Sequence, residues 1–521
     1  MTSASPGILN DVLGPVMRGP SSSHTAGSYH IAVLARALLG ARPVRARLRF
    51  DPAGSYAQVY REQGVDCAFA IGLLGRPLTD SRFVEGLEEA GAAGLSLAFE
   101  VTPLPAADHP NAVEIELGGA AGEAVTLTAK SVGGGSVEIT TVDGWRVARR
   151  GAVYTVLVES GTAMAEQARA ALESDGALAG PVGRCDREGA TLLLADRVAP
   201  LPNHVRAGLA ALPLIRRVRE LPPLAHLKRG RALFASAAEM IALAEDRQWS
   251  LGQAGIAYEC ELLGLDEPAV VAEMARRLAV MRSAVREGLS ASAPPMQLLT
   301  ATARRVFDAE REGRVAVGGL HARAAARALA VMHVNGAMGV VCAAPTGGSA
   351  GVIPGAVVSL MEDRGLDEPS AVRALFAAGA VGLIVAARAT FAAEDAGCQV
   401  EIGAAGAMAA AAVVEAAGGT ARQAADAAAI AFQNQVGLVC DPVQGMVEIP
   451  CHTRNAAAAA SALVCADLAT GGYLNPIGLD ETIDAVHAVG RMLPAELRCT
   501  ARGGLARAPS ALRLTRRPLT T

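Results

Sequence analysis

The chain has 521 residues, 51% of them hydrophobic, with a formal net charge of −4 and a sequence pI near 6.2. That length supports two or three domains with sizeable cores, and the slightly acidic balance argues against a nucleic-acid or other polyanionic partner. A mean hydropathy of +0.30 comes without an apolar run long enough to span a bilayer, the longest, Ala374 to Ala387, stopping at Arg388. It implies helices buried on nearly all faces and no membrane partner. No positively charged start followed by an apolar stretch opens the chain, and nine unsignalled cysteines read as reduced thiols. A cytoplasmic protein is therefore expected.

Taken in order, the elements predict a multidomain chain. Residues 1–148 mix strand-like stretches (VRARLRF, AVEIELGG, VTLTAKSVGGGSVEITTV) with short helices, an α+β pattern. Residues 149–222 alternate strand (VYTVLVES), helix (MAEQARAALES), a weaker strand near Gly180 to Cys185, strand (ATLLLADR), helix (PNHVRAGLAAL) and strand (IRRVREL). That order predicts a ferredoxin-like βαββαβ module, whose short hydrophobic strands leave an edge or face to be covered by a second copy, giving a homodimer or larger assembly. A linker follows from Pro222. Residues 223–510 then read as a large all-α domain, with alanine-rich helices over Ala322–Val340, Pro369–Ala393, Gly406–Ala417 and Ala421–Val436.

Chemistry-bearing motifs sit between these elements. Ser21, Ser22, Ser23, His24 and Thr25 precede a helix predicted to start near Thr25. One serine suffices as a cap, so the surplus hydroxyls and free N–H groups suit a carboxylate. CAAPTGGSAGVIPG, Cys342 to Gly355, lets backbone approach a ligand closely but lacks the Gly-Lys-Ser/Thr ending of a phosphate loop. Cys398, Cys440 and Cys451 lie in glycine-, alanine- and proline-framed stretches, the last two eleven positions apart, with no fourth cysteine at comparable spacing. Such a set reads either as buried small hydrophobes or as soft ligands for an iron–sulfur cluster with one iron left open. Lys130 and Lys228 are the only lysines and neither lies in a recognisable phosphate cup, which argues against pyridoxal phosphate. His30, His333, Cys342 and Cys465 read as packing residues, Cys342 being the one expected nearest the site, while His452, directly after Cys451, is expected near the cysteine set.

GPSSSHTAG, SVGGGSVEI, APTGGSAGVIPG, GCQVEIG, LVCDPVQGMVEIPC and the Arg454-Asn455-Ala456 tripeptide, in that order, resemble the iron–sulfur L-serine dehydratases, over about residues 8–510. The arrangement is similar to a β-type subunit, an ACT domain and an α-type subunit fused in one chain. The resemblance implies a 4Fe–4S cluster on Cys398, Cys440 and Cys451, an amino-acid substrate, and dehydration of L-serine to pyruvate and ammonia. Some single-chain relatives place a C-terminal cysteine over the open iron; this chain ends LRLTRRPLTT, so no such self-ligation is expected.

Two departures bear on base and substrate. Gln63 stands where the family usually has a histidine, which leaves His24 as the candidate base and Ser21, Ser22, Ser23 and Thr25 as substrate-binding groups. Arg388 stands where the family has asparagine. No acid follows it at three or four positions, so a substrate carboxylate or a distant side chain is expected as its partner. A different, acidic β-hydroxy amino acid thus competes with serine as substrate. A non-catalytic amino-acid or redox sensor is the reading from another class.

Overall fold

The computed structural model describes residues 5–517. Its first strand, Val16–Arg18 (β1), stands apart from the sheet that follows. Pro43–Phe50 (β2), Ser96–Val101 (β3), Ala112–Gly119 (β4), Ala124–Gly133 (β5), Ser136–Val142 (β6) and Trp145–Arg149 (β7) form a six-stranded sheet in the order β3-β2-β4-β5-β6-β7. Only β2 and β3 are parallel, which the intervening helices Val65–Leu74 and Gly86–Ala92 allow. Alternation along β4, with Val113, Ile115 and Leu117 inward, buries one face under the helix Gly27–Leu39.

Next come Tyr154–Ser160 (β8), Gly183–Arg187 (β9), Ala190–Arg197 (β10) and Ile215–Leu221 (β11), with the helices Ala165–Glu173 and Asn203–Ala211 between them. The chain order is βαββαβ and the antiparallel sheet order β11-β8-β10-β9, as the alternation of short apolar runs predicts. Val156, Val158, Leu193 and Ala195 pack under the two helices. Leu157, Leu192 and Leu194 on the other face join the core of the six-stranded unit. Both faces are therefore covered within the chain. The sheet's two outer strands, β11 and β9, each pair with one neighbour and keep an edge without a strand partner, that of β9 studded with Arg184, Asp186 and Arg187.

From Ala237 onward the chain is helical. Glu368–Arg388, Ile402–Ala416, Ala421–Gln433 and Cys451–Thr470 form a core of alanines and small aliphatics in which helices pack closely. By length and composition alone, Glu368–Arg388 and the stretch Cys398–Ala416 could cross a membrane, but most of each is buried inside this unit. The helix predicted to run to Val340 stops at Gly336. A left-handed Met338 (φ +58°) breaks it, and Val340–Cys342 becomes a strand (β12). β12 pairs antiparallel with β1, Val16 opposite Cys342.

That pairing belongs to a larger intrusion. Ile8, Leu9, Val12 and Leu13, assigned from sequence to the first domain, lie in the helical core. The N–H groups of Ile8 and Leu9 donate to the Glu259 carboxylate at 2.7 and 3.0 Å. The N-terminal segment thus completes the helical unit before the chain turns back to build its own sheet.

Candidate active site

Where the N-terminal unit meets the helical unit, a buried cavity forms with thiols on one side and hydroxyls on the other. Gly397, at φ +77°, turns the chain after the short helix Ala393–Ala396, a conformation that side chains resist, and Cys398 opens the next turn. Cys440 sits on the loop before Cys451–Thr470, and Cys451 is the first residue of that helix. The Cys398 and Cys440 sulfurs and a Glu401 carboxylate oxygen lie within 4.8 Å of one another. Cys398, Cys440 and Cys451 all line the cavity, so the structure brings the sequence-predicted triad together.

A fourth cysteine lines the same cavity, contrary to the expectation of three. Cys499 is delivered by the segment after the helix Leu479–Met492. Its N–H donates to the Cys440 carbonyl at 3.0 Å, and the Cys440 N–H donates to the Leu497 carbonyl at 2.8 Å. The Asp441 carboxylate accepts the Leu505 N–H at 2.7 Å and holds the segment from its other end. Nothing in the spacing of Cys499, beyond its being a cysteine, signals this. All nine cysteines are free. The Cys440 thiol is held well above the usual range by the Cys398 thiol, then by that of Cys499, with burial adding to both.

The motifs around the triad explain its rigidity. Asn455 donates to the carbonyls of Cys451 and Gly348, both at 2.8 Å, and accepts the Gly351 N–H at 3.1 Å. It thereby ties the APTGGSAG loop to the helix that carries Cys451. Gly347 in that loop is pressed on the serine motif: a Cβ there would meet the Pro20 carbonyl and the Ser22 nitrogen at 3.0 Å. Arg454 pairs with Asp441 at 2.9 Å, and its charge helps hold Cys398 below the usual thiol range, after the hydrogen bond to Cys440.

Of the hydroxyl motif, Ser21 and Ser23 reach the cavity. Ser22 is buried with an unpartnered hydroxyl. Thr25 donates to the Gln63 carbonyl at 2.8 Å, bracing the turn. His24 stands one layer behind, Nδ1 lying 3.0 Å from Ser23 Oγ and 3.3 Å from Ser21 Oγ, and Nε2 3.0 Å from Ser55 Oγ. Ser55 in turn donates to the Cys499 carbonyl at 3.3 Å. With its proton spent there, Ser55 accepts from Nε2–H, which leaves Nδ1 as the acceptor facing the serines. Burial, and then the charge of His109, lowers His24 to about 3, so the ring is neutral at physiological pH.

Two acids that the sequence reading passed over complete the cavity. Glu394 and Glu401 flank Cys398 four positions before and three after, and both line the cavity. Their one available signal was an acid on either side of a cysteine in an otherwise apolar stretch. Burial raises each to about 8, assisted at Glu401 by Cys398. Glu394 accepts from Asn111 Nδ2 at 2.6 Å, and its other oxygen lies 3.5 Å from Ser23 Oγ. Gln63 also lines the cavity; its Nε2 donates to the Gly445 carbonyl at 3.2 Å while its buried Oε1 has no partner.

Arg388 is not brought to the site. Its guanidinium turns to the helix Leu479–Met492, pairing with Asp484 through two nitrogens and reaching Asp480 at 3.7 Å. The distant side-chain partner is the one the structure supplies, and among the described residues no arginine or lysine lines the cavity. Cys342 belongs to β12 and lies outside the lining, while His30 Nδ1 meets the Gly135 carbonyl at 2.7 Å. A larger cleft, between β11 and the helix Gly27–Leu39, is remote from the thiols. Its Arg206 is already paired with Glu220, and its Arg217 and Arg219 with Asp143.

The donor set fits an iron–sulfur cluster: soft thiols converge on one closed cavity and none is spent in a disulfide. Fold and site together define a multidomain protein with a helical, cysteine-lined centre closed by an α+β unit. A family model described as serine dehydratase alpha chain matches residues 236–506, just over half of the chain. A probable L-serine dehydratase alpha chain of Bacillus subtilis (strain 168) is 40% identical over 285 residues, covering 55% of this chain and 95% of that relative. A second, from Latilactobacillus sakei, is 47% identical over 187 residues, 36% of this chain and 90% of that one. The L-serine dehydratase TdcG of Escherichia coli (strain K12) is 42% identical over 182 residues, 34% of this chain and 40% of that one. The chain belongs to the serine dehydratase alpha-chain family.

Proposed function

We propose that this enzyme, an L-serine ammonia-lyase by family, eliminates water from L-serine in the junction cavity, releasing pyruvate and ammonia, with a 4Fe–4S cluster on Cys398, Cys440 and Cys451. The observation that carries the reading is the convergence of these thiols opposite Ser21, Ser23 and Glu394 in one buried cavity. When bound, such a cluster supplies a Lewis-acidic iron that favours departure of the β-hydroxyl. The hydroxyl of Ser21 receives the substrate carboxylate, and Ser23 faces the α-carbon, with Ser22 and Thr25 shaping the turn that presents them. His24, neutral and with Nδ1 free to accept, takes the α-proton through Ser23: the hydroxyl gains a proton from carbon as its own passes to the ring. Glu394, protonated at neutral pH, donates to the carboxylate and keeps a second negative charge out of the cavity. The eneamine left by elimination tautomerises to an imine, and water then completes the release of ammonia.

An acidic substrate is disfavoured by the same walls. Glu394 and Glu401 face the cavity, and the one cation proposed to meet a second carboxylate, Arg388, is paired elsewhere. Anaerobically reconstituted protein should release ammonia and pyruvate from L-serine faster than from L-threonine, L-cysteine or 3-hydroxyaspartate. Preference for 3-hydroxyaspartate, or full turnover by colourless iron-free protein, would overturn the reading.

A further inference from the structure

We propose that Gln63 recognises the α-ammonium of the substrate, its side-chain Oε1 accepting one of the ammonium N–H bonds. This deepens the L-serine reading above and rests on it. Gln63 is 1% exposed and lines the cavity, and its Oε1 is buried without a partner. An acceptor in that state carries a desolvation cost that a donor on a ligand would offset. The rest of the residue is tied down. Its N–H donates to the Val59 carbonyl at 2.9 Å, its carbonyl accepts the Thr25 hydroxyl at 2.8 Å, and Nε2 donates to the Gly445 carbonyl at 3.2 Å. The last contact also decides which way the amide faces, since the flipped amide would set two carbonyl oxygens against each other. Gly445, at φ +78°, lies directly on the helix Ser55–Val59: a Cβ there would meet the Val59 side chain at 2.8 Å.

Most other acceptors around the cavity are already engaged. Among the described residues, the lining carbonyls of Gly348 and Cys451 are taken by Asn455, and that of Cys440 by the Cys499 N–H. The Pro442 carbonyl accepts the Gly445 N–H, and the Cys499 carbonyl accepts from Ser55. Glu394 accepts from Asn111, and burial pushes it up to about 8, so near neutral pH it donates rather than offers a charge. An ammonium entering here therefore meets Gln63 Oε1 as an unspent, neutral acceptor held in place before the ligand arrives. With the carboxylate at Ser21 and the ammonium at Gln63, two substituents of the α-carbon are fixed, and its hydrogen is left for Ser23. The amide thus selects for an amino acid over the corresponding hydroxy acid and sets the α-carbon for proton removal.

The test uses anaerobically reconstituted wild type, Gln63→Met, which keeps the length of the side chain without its amide, and Gln63→Ala. Fold is checked by circular dichroism and iron is counted. The two ligands are L-serine and 3-hydroxypropionate, which is serine without its amino group and serves as a competitive inhibitor. For wild type the inhibition constant of 3-hydroxypropionate should exceed the KM for L-serine by on the order of tenfold or more. Gln63→Met should raise the KM for L-serine about 10- to 100-fold, while its inhibition constant for 3-hydroxypropionate stays within about twofold of wild type and iron content is unchanged. Gln63→Ala should split the two constants in the same way and carries the comparison if the methionine variant does not fold. Equal binding of the two ligands by wild type would overturn the assignment. So would folded variants in which both constants rise together, the mark of a packing role, or in which neither moves. If wild type does not turn over L-serine at all, it is the reading above that fails instead.

Discussion

The two walls of the cavity are built on different principles. The thiol wall comes from the helical unit, where each ligand sits at a chain reversal fixed by local chemistry: Gly397 before Cys398, Pro442 and Gly445 after Cys440, Pro450 before Cys451. The hydroxyl wall comes from the N-terminal unit, and what it can do depends on what stands behind it. Ser23 alone is a poor base; with His24 Nδ1 at 3.0 Å, and with Ser55 and the Cys499 carbonyl fixing the tautomer, it becomes a relay. The contrast teaches that one wall supplies ligands by identity and the other supplies reactivity by support.

The largest effect expected from breaking the contrast is on the thiol side. Cys440→Ala should hold almost no iron and release no detectable ammonia from L-serine, measured by iron analysis and a coupled assay. On the other wall, His24→Ala should cut turnover by roughly two to four orders of magnitude while iron content stays at the wild-type level. That split between chemistry and metal content separates the walls.

A smaller effect tests the electrostatics. Glu394 titrates at about 8 in the fold against an ordinary 4.5. The unfolded chain therefore sheds this proton first, and the stabilisation, complete below pH 4.5, is lost as pH rises through about 8. Thermal melts from pH 5 to 8.5 should show the wild type losing stability with rising pH, and Glu394→Gln should flatten that slope. The smallest effect belongs to Arg388. As a partly exposed ion pair on the outside of the helical unit, its change to asparagine should cost about 0.2–1 kcal/mol and leave the ratio of turnover on L-serine and 3-hydroxyaspartate unchanged. A shifted ratio would return Arg388 to the substrate site.

What the sequence disclosed follows the same division. The βαββαβ order, β4, the β5–β6 hairpin and the alanine-rich helices were legible because apolar period and turn residues are local. So was the cysteine triad, since ligand type and the glycine and proline frame are written side by side. Cys499 was not, because tertiary pairing with Cys440 from 59 positions away places it. Arg388 misled for the mirror-image reason: its acid partner Asp484 lies 96 positions downstream. β1 and β12, three residues each, carry no periodicity and exist only through one another.

The seating of the N-terminal segment in the helical core has a consequence for biosynthesis. Residues 8–18 leave the ribosome long before the helical unit does, and Arg18 and its partner Met338 are 320 positions apart. At the usual 5–20 residues per second, that is roughly 15 to 60 s during which Ile8, Leu9, Val12 and Leu13 have no native cover. A gene split at the linker would not merely separate two modules. It would oblige the helical product to capture its missing strand from another polypeptide before its cysteines could be held in place.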